Sequence, residues 1–225
     1  MCIRDRYSNT TANNTAVGHQ ALYTNAGGQS NVGMGVNTMY ANTSGSYNTA
    51  IGDTALRFNT TASNNTAVGY QAAYATTTGS NSSAFGYRAL YSNTTGQNYA
   101  FGTQAMQTNT TGTLNTAVGG AALFSNTTGG NNVAVGQSAL ESSTTASNNT
   151  AVGYQAGYSN TTSSNHVAVG YQAAYAGTTA DAVTAIGYRA LYTNTTGSYN
   201  VGVGASSLYY NTTGAFNAAF GLNSL

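Results

Sequence analysis

The chain has 225 residues, 28 of them Gly, with no Pro, no Trp and a single Cys. Charged residues make up 4% and the formal net charge is +1, against roughly 25% charged in an ordinary soluble domain. So few bases cannot neutralise a phosphate backbone, which argues against nucleic acid as a partner; no apolar run reaches the roughly 18 residues of a membrane-spanning helix, and one Cys excludes an internal disulfide and the usual zinc spacings.

In chain order, Met1-Cys2-Ile3-Arg4-Asp5-Arg6 obeys no repeat, whereas Tyr7-Ser8-Asn9-Thr10-Thr11 already matches the second half of one. Residues 1–6 therefore read as a non-native leader: Met-Cys-Ile-Arg-Asp resembles the translated end of an adapter used in shotgun sequencing, with a natural cap as the alternative. Residues 7–225 read as a single repeat domain built on a unit close to N-T-A-V-G-Y-Q-A-L-Y-S-N-T-T-G-S-N. Its central Gly recurs at Gly18, Gly35, Gly52, Gly69, Gly86, Gly102, Gly119, Gly136, Gly153, Gly170, Gly187, Gly204 and Gly221. Every spacing is 17 residues except the 16 between Gly86 and Gly102, where a turn residue near Gln97 is missing. The last unit stops at Leu225 without a polar cap of the kind that solenoid ends need, so further sequence is expected beyond both ends.

With that Gly as position 0, the copies define columns. Position −1 is always bulky and apolar, from Val17 to Phe220, and reads as core. Position −2 is Ala, or Gly at Gly33 and Gly202; position +4 is Leu or Met, relaxed to Ala73, Gly157 and Ala174; position −4 is Asn in most copies, implying a stack of amides. The apolar runs are short, β-branched and bounded by Asn-Thr-Thr-Gly, which predicts strands and turns rather than helices. Alternation in N-T-A-V-G-Y puts Thr and Val on one strand face and Asn, Ala and Gly on the other. The bulky face is expected inside and the small face outside, with two short strands per unit and unusual backbone angles at the Gly of Thr-Thr-Gly. One coil cannot bury its own face, so coils stack. The result is an all-β parallel β-solenoid of about thirteen 17-residue coils, about 4.8 Å apart.

The unit in Asn65-Thr66-Ala67-Val68-Gly69-Tyr70-Gln71-Ala72 and again in Asn149 to Ala156 is similar to the N-S-V-A-I-G-x-x-A repeat of trimeric autotransporter adhesin heads. It looks closer still to the Asn-Thr-Ala-Val-Gly-Tyr repeats of phage tail fibres and bacterial surface proteins that end in a self-cleaving intramolecular chaperone. The resemblance covers residues 7–225 and implies a left-handed, homotrimeric β-roll on a cell surface or virion, extracellular, that holds a receptor-binding tip away from the surface. The 17-residue unit is longer than the adhesin-head unit. A flat Ala and Gly face would suit packing against another chain; the alternative is a single-chain solenoid with Ala in a cramped interior corner.

Catalysis needs unlike groups converging at one place, whereas a repeat presents one group many times. His19 and Asp53 share a column two coils apart, roughly 9 to 10 Å along the axis, too far for a hydrogen-bonded pair. His166, Asp181, Glu141, Arg57, Arg88 and Arg189 read as tolerated surface substitutions. No catalytic, cofactor or metal site is expected, since no Asp recurs in each turn as calcium-binding solenoids require. What does recur is Tyr: Tyr23, Tyr40, Tyr74, Tyr91, Tyr158, Tyr175, Tyr192 and Tyr209 share position +5, and Tyr70, Tyr87, Tyr154, Tyr171 and Tyr188 share position +1. The +5 column is expected to point outward, either as a ladder packed on itself or as a surface contacting cell-surface glycan. Ice binding is a lesser alternative, disfavoured because Thr94-Thr95, Thr127-Thr128 and Thr195-Thr196 are adjacent in a turn. The sequence therefore reads as a structural spacer of a surface adhesin or tail fibre serving attachment, with a glycan-binding head as runner-up.

Overall fold

The computed structural model describes residues 11 and 13–225, and the leader expected at 1–6 lies outside the described residues. The chain divides into two compact units, residues 1–112 and 113–225. In the first, β1 (Thr15–Val17), β2 (Val32–Met34), β3 (Thr49–Ile51), β4 (Thr66–Val68), β5 (Ser83–Phe85) and β6 (Asn98–Phe101) pair in sequence order, all parallel. In the second, β7 (Asn115–Val118), β8 (Val133–Val135), β9 (Thr150–Val152), β10 (Val167–Val169), β11 (Thr184–Ile186), β12 (Val201–Val203) and β13 (Ala218–Phe220) do the same. Partners stand one repeat apart, as in Ala50↔Ala67 and Ala134↔Ala151. Each unit is a parallel β-solenoid, and no helix occurs among the described residues.

Each coil contains one strand of three or four residues rather than two; turns close the rest. The short coil is accommodated where the spacing places it. The register shifts to Ser83↔Tyr99 and Ala84↔Ala100, while Gly79 and Gly96 still match at 17 residues. The lost residue is the counterpart of Asn81, which has φ 60°. Removing it costs no strand pairing.

The face assignment is the reverse of the expectation. Ala at position −2 is buried, with Ala50, Ala67, Ala117 and Ala151 at 0% exposure, whereas Val17 is 52%, Ile51 39%, Val118 39% and Val152 37% exposed. A single 17-residue coil encloses too narrow a space for two opposed rows of branched side chains. Its interior is filled instead by the Leu or Met of position +4 (Leu22, Met39, Leu56, Leu90, Met106, Leu123, Leu140, Leu191), wedged among Ala at −2 and +3. The Ala column thus occupies the interior corner, and the outward strand face carries Thr or Val at −3, with Ser83, Tyr99 and Ala218 as exceptions, and Val, Ile, Met or Phe at −1.

Amides line the remainder of the interior. At position −4, Asn48 accepts no hydrogen bond from its own coil; its Oδ1 takes the Asn65 N–H at 2.9 Å, and its Nδ2 donates to Ala62 O at 2.8 Å. A second Asn column, at +7, was not read from the sequence: Asn59 Nδ2 donates to Asn42 Oδ1 at 2.6 Å and to the same Ala62 O at 3.1 Å. Both are almost fully buried. Buried polar groups require partners, and here most of them come from the adjacent coil, although Asn59 Oδ1, Thr76 Oγ1, Ser143 Oγ and Ser207 Oγ are left without one.

The backbone angles that let so short a chain close also lie elsewhere than expected. The Gly of Thr-Thr-Gly has ordinary φ, whereas the Gly at position 0 has φ between 115° and 142°. A Cβ on Gly52 would come within 2.5 Å of Gly69 O and 2.7 Å of its carbonyl carbon. Positions +2 and +4 are left-handed too, including Gln71 (φ 56°) and Leu56 (φ 49°). Leu in that region is unusual, at a cost of roughly 1–2 kcal/mol per residue. The reward is a reversal tight enough to point Leu inward; the Leu56 N–H is bonded to Ala72 O of the next coil.

Candidate functional site

The turn G-Y-Q-A-L-Y sorts its side chains by the alternating left-handed residues. Ala at +3 and Leu at +4 go inside, Tyr at +1 and +5 stay on the surface, and the residue at +2 lies between the two Tyr columns. The +5 tyrosines predicted as a contact ladder are half-buried rather than freely outward. Tyr23 stacks on Tyr40 with centroids 5.1 Å apart, Tyr74 on Tyr91 at 4.9 Å, and Tyr158, Tyr175, Tyr192 and Tyr209 form one run at 5.1–5.2 Å with interplanar angles of 12° or less. Arg57, Gln107 and Glu141 interrupt the column. The +1 tyrosines are more exposed, 41–50%, and stack as Tyr70–Tyr87 and Tyr154–Tyr171–Tyr188 at 5.4–5.6 Å.

Between the columns runs a polar row that the sequence reading assigned to solvated surface. Arg88 Nε donates to Gln71 Oε1 at 2.9 Å, and its guanidinium carbon lies 5.2 Å from the Tyr87 centroid and 5.4 Å from that of Tyr91. In the second unit the row is longer: Gln172 Nε2 donates to Gln155 Oε1 at 2.9 Å and Arg189 Nε to Gln172 Oε1 at 3.0 Å. The Arg189 guanidinium sits 5.3 Å from Tyr188, 5.2 Å from Tyr192 and 5.9 Å from Tyr171. The signal was present in the sequence, because Gly-Tyr-Arg-Ala-Leu-Tyr occurs twice, at 86–91 and 187–192.

The other singular residues do not converge. His19 and Asp53 are exposed on one column, with Val36 between them. Arg57 packs between Tyr40 and Phe58, 5.8 and 5.5 Å away. Glu141 is half-buried beside Tyr158, whose hydroxyl it pushes above its usual pKa by charge repulsion with the phenolate, aided by burial. Asp181 does lie exposed in a turn, accepting the Ser164 N–H at 2.9 Å. His166 is not on the surface as expected: it is 3% exposed, takes the Asn place at position −4 and donates through Nε2 to Ala180 O. Burial lowers its pKa below the usual histidine value, partly offset by the Ala180 bond and by Asp181.

The Thr pairs in the turns are committed to the stack. The first hydroxyl of most pairs bonds the next coil, as in Thr60 Oγ1 to Thr77 O at 3.0 Å and Thr127 Oγ1 to Thr144 O at 3.0 Å. Among the described residues no cluster of three or more His, Cys, Asp or Glu is placed to hold a metal, and no helix is long and apolar enough to cross a membrane. No protein-family model, curated protein or solved structure matches the chain.

Proposed function

We propose that the chain is a structural spacer of a fibrous surface adhesin or tail fibre, displayed outside the cell or on a virion and serving attachment, with its outward strand face packed against further copies of itself in a homotrimer. The observation that carries this reading is the strand face. Each coil turns outward a bulky apolar side chain at −1 (Val, Ile, Met or Phe), beside Thr or Val at −3 in all but the coils with Ser83, Tyr99 and Ala218, with no charge in either column among the described residues. Contiguous apolar surface of this kind marks an interface, and an identical copy has the same coil spacing, so its columns match rank for rank. The Ala face cannot serve, because it lies inside the coil. The interior is a repeated ladder of Ala, Leu and Asn with no cluster of titratable groups among the described residues, which suits a mechanical role. Light scattering on the full chain tests the assembly: three times the 22.8 kDa chain mass is the expected result, and a monomer at micromolar concentration contradicts it.

A second reading, a glycan-contacting surface, is favoured by the pairing of exposed Tyr columns with a Gln and Arg row. A glycan array separates the two, since a spacer alone binds nothing.

A further inference from the structure

We infer that residues 113–225 carry a site for an acidic sugar at Tyr188, Arg189 and the notch beside them, the carboxylate meeting the guanidinium and the apolar ring face lying on Tyr188; this rests on the second reading above. Three observations point there. Arg189 ends its polar row: Nε is committed to Gln172, and its terminal amino groups form no ion pair among the described residues. A planar guanidinium whose terminal N–H groups remain available is the side chain best matched to a carboxylate, and the rings of Tyr188 and Tyr192 hold it in place from 5.3 and 5.2 Å.

Tyr188, in turn, ends its column. One face stacks on Tyr171 at 5.4 Å, but the next coil has Ala205 at position +1, so the other face is left without an aromatic neighbour, and the residue is 50% exposed against 43% for Tyr171. Stacked rings within the column hide their faces from a ligand; a terminal ring presents one. Finally, Ser206 replaces the long Gln or Arg of position +2, and a cleft of about 470 Å³ opens there, walled by Tyr188, Arg189, Ser206, Tyr209, Tyr210, Asn223 and Leu225. Its size falls in the range of small-ligand pockets, about 300–1,000 Å³. One cation, one open ring face and walls that offer the Ser206, Tyr209 and Tyr210 hydroxyls and the Asn223 amide beside apolar Leu225 select a ligand with a single carboxylate on a polyhydroxylated ring.

The test is calorimetric titration of the full chain, alongside tyrosine emission in a protein without Trp, using hyaluronan hexasaccharide and neutral chitohexaose. The acidic oligosaccharide is expected to bind and to weaken with salt. Arg189→Gln and Tyr188→Ala each weaken it about tenfold or more, while Arg57→Gln leaves it unchanged. Both site substitutions install residues that the same columns already hold, Gln172 and Ala205, so circular dichroism should match the parent. Equal binding of chitohexaose, or undiminished binding by Arg189→Gln, overturns the acidic-sugar assignment and leaves the second reading standing. Binding of neither oligosaccharide overturns both.

Discussion

His166 occupies a column that most coils fill with Asn, between Asn149 and Val183, and its cost is pH-dependent. Its pKa is lowered in the folded chain, so the unfolded chain binds more protons as pH falls through the usual histidine value of about 6.5. The contribution to stability is complete above that value and declines below it. His166→Asn restores the amide found at Asn149 and Asn200, so the variant should melt higher than the parent at pH 5 and lose part of the parent's decline between pH 7 and 5; parallel melting curves at every pH would contradict this. Asn132 shows the reverse case. Its Nδ2 donates to Asn115 Oδ1 at 3.0 Å and to Ala146 O at 2.8 Å, and its Oδ1 accepts the Asn149 N–H at 3.0 Å. Asn132→Ala strands a buried N–H and a buried carbonyl, an expected loss of about 2–5 kcal/mol in chemical denaturation, more than the apolar volume removed would explain.

At the scale of one coil, the Gly at position 0 sets the approach of successive turns. Gly52→Ala adds a left-handed φ penalty to a collision with Gly69 backbone, and about 3 kcal/mol or more of destabilisation is expected. Gly221→Ala has nothing within 4 Å of the new Cβ, so it should suffer the φ penalty alone; equal losses would mean that coil contact is not what fixes the Gly. Leu123→Ala should cost about 2–5 kcal/mol, measured by the same denaturation, since Leu123 is fully buried. The period, the parallel register and the loss near Gln97 were legible because each is a property of spacing. The orientation was not. Bulky-inside reasoning holds where two sheets share a core, but one coil has only its own interior, and Ala, Asn and a single Leu fill it. Nor could the sequence reveal that Leu sits in left-handed turns, a conformation its own preferences oppose and only the stack enforces. The Tyr columns were legible, while the Arg row between them was read as solvent-facing because charge usually is.

At the scale of the molecule, each compact unit repeats one solution: ladders of backbone, amide and aromatic pairs running from coil to coil, with the branched and aromatic side chains of position −1 turned outward. Under the proposals above, function is distributed along the columns, and local recognition is expected where a column ends, as at Tyr188. The claim beneath all of this is that equivalent residues of successive 17-residue units stand over one another. Spin labels at Thr128 and Thr196, exposed positions four coils apart in the second unit, test it directly in a Cys2→Ser background diluted with unlabelled chain. Pulsed dipolar spectroscopy should give one narrow distance near 19 Å, four times the interstrand spacing of about 4.8 Å; a broad distribution extending well beyond that would contradict the stacked coil.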